Sequence, residues 1–257
     1  NCHFGEAFKS EADPQPVVYV DLEVTEKQQQ KRYSDESGNF KFGPNFQRVA
    51  FNSNPLPEGM DYEEAMFDSI RHHLEIYNAK VLIVDNLTMM ANQDTDGTRD
   101  AQSLMRKLLQ LKREGFSILC IEHTTKRFNQ SEPLAIEALQ GSKQKPNLAD
   151  GIFAMNVCAD DRELRYIRQF PGRGGECVFH EDNVAVLEFR KEGSFKGYYH
   201  IENSTEKDCL PQQNSAPDPR DLEIKAMHEA GKTNAQIAEA LGIHRSTVGR
   251  KVKQNQS

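Results

Sequence analysis

The stretch AKVLIVDNLTMM, residues 79–90, is an apolar run that stops on a carboxylate. Val81, Leu82, Ile83 and Val84 are rich in β-branching and carry no charge, the composition of a strand buried on both faces of a parallel sheet. Ligands of open α/β sheets bind beyond the carboxyl ends of the strands, so Asp85 is expected at the mouth of a site. Two neighbours read the same way. VVYVDLE (17–23) is a strand with Asp21 and Glu23 at its end, and FSILCIEH (116–123) is a buried strand ending in Glu122 and His123.

Working outward, VTEKQQQKRY suits an exposed helix and QRVAFN (47–52) a shorter strand. YEEAMFDSIRHHLEIY (62–77) places Ala65, Met66, Ile70, Leu74 and Tyr77 on one helical face. TRDAQSLMRKLLQLKREG repeats that pattern with Ala101, Met105, Leu108 and Leu111, and stops at Gly115. Strands alternating with helices predict an open parallel α/β sheet. After GIFAMNV (151–157) the rhythm changes to LRYIRQF, CVFHED, VAVLEFR and GYYHIE, expected as antiparallel hairpins that continue the sheet. The division is therefore a core over 1–202, a Pro-containing polar linker over 203–220, and a compact all-α unit over 221–257.

Composition bounds the function. With 32 Lys and Arg against 39 Asp and Glu, the net charge of −7 excludes a chain coated for nucleic acid over its whole surface, so any such contact is local. Cys2, Cys120, Cys158, Cys177 and Cys209 are odd in number and contain no C-x-x-C pair, which fits free thiols in a reducing compartment and no zinc site. No apolar run of membrane-spanning length and no signal-peptide pattern is present, so a soluble, cytoplasmic protein is expected. The opening NCHFGEAFKSEADPQP reads as a helix end and a loop feeding a strand, and a longer protein is expected upstream.

Asp85 has the place and chemistry to hold the water shell of Mg²⁺, a hard cation that takes oxygen ligands. Glu23, expected on the same strand face as Asp21, is placed to orient or deprotonate an attacking water. His123 is placed to hydrogen-bond a γ-phosphate. Each residue alone also has a plain structural reading: a turn or helix-capping Asp, a Glu at a helix start, a buried His.

Together VVYVDLEVTEKQQQKRY, AKVLIVDNL, SILCIEHTTKR and LQGSKQKPNLADGIFAM resemble successive motifs of RecA-like AAA-type ATPases, close to the plasmid RepA replicative-helicase group and more loosely to DnaB-type helicases. The resemblance spans roughly residues 1–200. It implies a RecA-like parallel-core sheet flanked by helices, ATP and Mg²⁺ as cofactors, and a homo-oligomeric ring. It makes Asp85 the Walker B acid, Glu23 the catalytic glutamate and His123 with Thr124 the sensor, and it places Ser142 and Lys143 on the nucleotide. Arg173 in RQFPGRGGE is the candidate arginine finger, completing a neighbour's site, or else a hairpin-turn cation. DnaB-type helicases carry a lysine two residues before that arginine, where this chain has Pro171.

The family's phosphate cradle, G-x-x-x-x-G-K-[ST], is missing from the sequence. The GKT at 231–233 is a false match, because Ala226 stands where its first glycine belongs. Without that nest of N–H groups and its lysine the β- and γ-phosphates lose their main ligands, and truncation before the loop is the expected cause.

NAQIAEALGIHRSTVGRKV has the form of a helix-turn-helix, with Ile237, Ala238 and Leu241 packing the first helix, Gly242 at the turn, and Ile243 and Val248 anchoring the second. It resembles the DNA-binding tails of resolvases and invertases. Residues 221–257 carry six Lys and Arg against four carboxylates, a basic module on an acidic chain. His244, Arg245, Ser246 and Thr247 are expected at groove edges or phosphates, and Arg250, Lys251 and Lys253 at the DNA backbone. The expected function is an ATP-dependent, DNA-associated motor or loader from a mobile element. The alternative is a DNA-binding regulator that keeps the ATPase fold without hydrolysis.

Overall fold

A computed structural model of the chain describes residue 8 and residues 12–40, 42–50, 58–59, 61–90, 97–124, 128–136, 148–159, 161–211 and 219–254. Its first sheet is parallel. Strands β1 (Val17–Asp21), β2 (Phe46–Ala50), β3 (Val81–Asp85) and β4 (Ser117–Ile121) lie in the order β2-β1-β3-β4, all running the same way. Register sets Asp21 directly beside Asp85 and Asp85 beside Ile121, so the strand ends form one rim.

Two of the helices turn apolar stripes onto the sheet, whereas the first is polar throughout. Helix α1 (Glu26–Tyr33) begins in a capping box, in which Thr25 and Gln28 satisfy each other's backbone N–H groups. Helix α2 (Tyr62–Ile76) buries Met66, Phe67, Ile70 and Leu74, while Tyr77, expected on that stripe, is exposed just past the helix end. After the short α3 (Leu87–Met90), helix α4 (Gly97–Arg113) buries Leu104, Met105, Leu108 and Leu111. These residues and the inward side chains Val18, Val20, Leu82 and Val84 make one core.

The later strands do not continue this sheet. Strands β5 (Ile152–Cys158), β6 (Asp161–Phe170), β7 (Val184–Glu192) and β8 (Phe195–Ser204) form an antiparallel sheet of their own, in sequential order. It has a separate core around Leu134, Cys158, Leu164, Tyr166, Val184, Val186 and Cys209, which is why the hairpins need no partner in the parallel sheet. CVFHED, expected as a strand, is irregular. The Gln169 side chain takes the N–H of Val178 at 3.0 Å, the Gln169 N–H donates to the Phe179 carbonyl at 2.6 Å and Asn183 Nδ2 donates to the Val178 carbonyl at 2.9 Å, so two residues hold the segment in place of a ladder.

The segment expected to open a linker at 203 instead completes β8 and forms α5 (Glu206–Cys209). Glu206 is buried, and its carboxylate accepts from the Leu134 N–H at 2.7 Å, the Tyr166 hydroxyl at 3.1 Å and Arg168 at 2.7 Å. That network binds α5 into the antiparallel unit.

Helices α6 (Pro219–Glu229), α7 (Asn234–Leu241) and α8 (Arg245–Gln254) enclose a third core of Ile224, Ile237, Ala238, Val248 and Val252. Thr233 and Gln236 form the capping box of α7, and Gly242 ends it at φ 64°, a left-handed conformation that an L side chain resists. Among the described residues, no helix is long and apolar enough to cross a membrane.

Candidate functional site

The rim of the parallel sheet gathers the polar strand ends predicted from sequence. Asp21 is buried, and its Oδ1 accepts the N–H groups of Val24 at 2.8 Å and Glu23 at 3.2 Å. This Asx turn ends β1 at Asp21, so Glu23 stands in the turn beyond the strand and not on the strand face expected for it. The other Asp21 oxygen is paired with Arg48 Nε at 2.9 Å, and Arg48 also donates to the Val24 carbonyl at 2.5 Å. Asp21 is thereby committed to shaping the turn that presents Glu23.

Asp85 accepts a hydrogen bond from the Tyr19 hydroxyl. Burial, reinforced by that carboxylate, pushes the Tyr19 phenol far above its ordinary 10.0, so it acts there as a neutral donor. Tyr19 is the first of a file of rings, packing on Phe46 at 5.5 Å, which packs on Phe42 at 4.6 Å. The file runs from Tyr19 toward the opposite end of the sheet, since Phe46 pairs with Val17, the first residue of β1.

Glu23 is the meeting point. Asn86, buried immediately after Asp85, donates from Nδ2 to Glu23 Oε2 at 2.8 Å, and its own Oδ1 accepts the Met89 N–H at 2.9 Å. His123 Nε2 lies 3.3 Å from the same Glu23 oxygen, with both side chains about half exposed or more. Glu122, next to His123, accepts from Thr88 at 3.4 Å. Groups from the ends of β1, β3 and β4 thus converge on one solvent-accessible carboxylate. Tyr19, Arg48 and Asn86 escaped the sequence reading. Tyr19 shares strand parity with Asp21, and Asn86 adjoins Asp85, but nothing in one sequence says which carboxylate each will choose.

Not all predicted residues join this rim. Thr124 lies just past His123 and is half-buried, while Ser142 and Lys143 fall outside the described residues. Arg173 is exposed on the loop after β6, in the antiparallel unit. Its flanking glycines press on Asp150: the Gly174 N–H donates to the Asp150 carbonyl at 2.7 Å, and a Cβ on Gly172 would stand 2.4 Å from the same oxygen. Glycine is required there by close approach.

In the C-terminal unit His244 and Arg245 are exposed at the start of α8, and His244 Nδ1 lies 2.9 Å from the Ser246 hydroxyl. Thr247 donates its hydroxyl to Glu202 on β8. A cleft of about 540 Å³ lies between these parts, lined by Ile201, Glu202 and Asn203 on one side and Glu239, Ile243 and His244 on the other. The side chains of Arg250 and Lys253 fall outside the described part of α8. Lys251, expected at the DNA backbone, is buried instead, with its ammonium 3.1 Å from Asp221 and 3.7 Å from Asp208. It faces its own protein because two carboxylates offer a partner where the helix packs.

Residues 3–128 match the family model of an AAA domain. The AAA-type match takes in the parallel sheet and its whole polar rim, and residues 222–255 match the model of a helix-turn-helix domain, spanning α6 to α8. No curated protein matches the chain. An AAA-type domain followed by a helix-turn-helix is the architecture of an ATPase-like protein associated with DNA.

Proposed function

We propose that the chain is the core of an ATP-hydrolysing, DNA-associated motor or loader of the RepA replicative-helicase type, from a mobile element, working as a ring with nucleotide between subunits. The convergence of Asn86 and His123 on Glu23, beside Asp85, carries this reading. Bound ATP with Mg²⁺ supplies the phosphoryl group and the charge to be stabilised. Asp85 takes the water shell of the cation, Glu23 accepts the proton of the attacking water, Asn86 fixes the Glu23 carboxylate, and His123 with Thr124 senses the γ-phosphate. Ser142 and Lys143 complete the nucleotide contacts, and Arg173 is the finger given to a neighbouring subunit. His244, Arg245 and Ser246 face DNA, with Arg250 and Lys253 on its backbone, while Thr247 is held by Glu202 of its own chain.

The fit to the cofactor is one-sided. Carboxylate and amide oxygens suit a hydrated cation, whereas the N–H nest and lysine that phosphates need are missing from the sequence. A strand carrying such a loop has a place beside β4, the edge strand, where Leu119 and Ile121 are each 39 % exposed. The first test is to read the coding DNA upstream of Asn1 for a strand followed in frame by G-x-x-x-x-G-K-[ST]. In the protein that carries it, Glu23→Gln is expected to cut ATP turnover by about 10²- to 10⁴-fold while ATP binding persists. Turnover indifferent to that change removes Glu23 from the chemistry. An active ATPase that separates no strand of a forked DNA removes the helicase reading and keeps the loader.

One observation favours a second reading. Asp85 is engaged by Tyr19 and Asp21 by Arg48, so two rim carboxylates already have protein partners. A DNA-binding regulator that keeps the fold for assembly would need no more, and its DNA affinity would be the same with or without ATP and in Glu23→Gln.

A further inference from the structure

The distal half of the β7–β8 hairpin is a second locally basic stretch of this acidic chain. Register pairs Phe189 with Tyr198 and Lys191 with Lys196. Residues alternate faces along a strand, so these four side chains share one face, while Glu188, Arg190 and Glu192 take the other. That face holds two rings and two ammonium groups, and no carboxylate from either strand. Phe189 and Tyr198 lie with ring centroids 5.2 Å apart, and Lys196 Nζ sits 5.6 Å from the Phe189 centroid. Phe189 is nevertheless 39 % exposed and Lys191 is exposed. Nearby Asp35 is an acidic group whose ionisation Lys191 favours, and hydrogen bonds from Asn39 and Ser37 already hold that carboxylate.

A cross-strand aromatic pair under a lysine stabilises a hairpin, but it does not account for the charge. This face carries Lys191 and Lys196, whereas Arg190 on the opposite face is paired with Glu188 at 2.6 Å, in a chain of net charge −7. A part-exposed ring pair, Phe189 and the half-buried Tyr198, flanked by Lys191 and Lys196 at strand spacing, matches an unpaired polynucleotide: a base stacks on the accessible ring surface and phosphates meet the ammonium groups. We propose that this hairpin face binds single-stranded DNA, as a surface separate from the helix-turn-helix and from the Glu23 rim.

The test is fluorescence anisotropy of the full chain with a labelled 20-nucleotide oligo(dT), and in parallel with a duplex of equal length. Phe189→Ala and Tyr198→Ala are each expected to weaken oligo(dT) binding by about tenfold, with duplex binding unchanged. Because ring removal loosens the hairpin, the pair Lys191→Gln/Lys196→Gln, at one exposed and one half-buried lysine, provides a second readout. It is expected to lower the slope of log affinity against log salt by about 1.4 for the single strand. No oligo(dT) binding at low salt, or binding unaltered by both sets of substitutions, overturns the proposal. So does a variant that keeps oligo(dT) affinity but lowers the oligomeric mass in light scattering, which would make the face a contact between copies. Loss of duplex binding alone, through Arg245→Ala, would bear on the helix-turn-helix and leave this face untouched.

Discussion

Asp85 has neighbours on the rim that decide its character. The hydroxyl of Tyr19 donates to it, and burial keeps that phenol neutral. Burial likewise raises the Tyr166 phenol of the antiparallel core. For both tyrosines the folded state holds the proton more tightly than the unfolded chain. Their contribution to stability is therefore complete below pH about 10 and lost as pH rises above it, where the unfolded chain ionises first. In an absorbance titration of the seven tyrosines, these two are expected to ionise last, together with alkaline unfolding. Tyr19→Phe removes one of them and leaves a rim carboxylate short of a donor. If that variant unfolds in urea at the wild-type midpoint, the bond contributes nothing. Asp85 and His123 were legible because an acid or imidazole closing an apolar run is a local pattern. The tie from Asn86 to Glu23 was not, since it joins positions 63 residues apart through the parallel register.

Among the elements, α5 shows how a short polar piece becomes structural. Its sequence, EKDC, has the polarity of a linker, and polarity is all that a single sequence displays. The pairing with Arg168 is what buries Glu206, and no periodicity announces a tertiary ion pair. Glu206→Ala would leave Arg168 with Glu181 as its remaining carboxylate, strand the Tyr166 hydroxyl and the Leu134 N–H, and is expected to cost about 2–5 kcal/mol in urea unfolding. The half-exposed pair of Arg190 with Glu188 gives the contrast: Glu188→Ala should change stability by no more than about 0.5 kcal/mol. Equal effects in the two variants would refute the assignment of α5 to the core. By comparison, β3, α2, α4 and α7 were readable in advance. Their apolar residues repeat at strand or helix spacing, and Thr233 and Gly242 mark where α7 begins and ends.

Across the whole molecule, three cores sit in one chain, and ion pairs are among the contacts between them. Lys112 of α4 reaches Asp150 at 2.5 Å, and Lys251 of α8 reaches Asp208 of α5. Lys251 and Arg245, both basic and both on α8, are therefore expected to behave differently. Lys251→Ala should lower the unfolding midpoint and leave the salt dependence of duplex binding as it was. Arg245→Ala should leave the midpoint and reduce the salt slope by about 0.9. The division into three units was partly readable from changes of rhythm along the chain. That the antiparallel strands close on themselves was not, because alternation names a strand without naming its sheet.

Strand β8 carries Lys196 and Tyr198 toward one end and Glu202, the partner of Thr247, toward the other. A strand advances about 3.3 Å per residue, so Tyr198 and Glu202 stand about 13 Å apart. β8 is thus a ruler. Whatever polynucleotide reaches from the recognition helix to the hairpin rings must bridge that interval, close to four steps at about 3.4 Å each. If both faces bind DNA as proposed above, this bulged strand would set how far the end of a duplex lies from the first unpaired base.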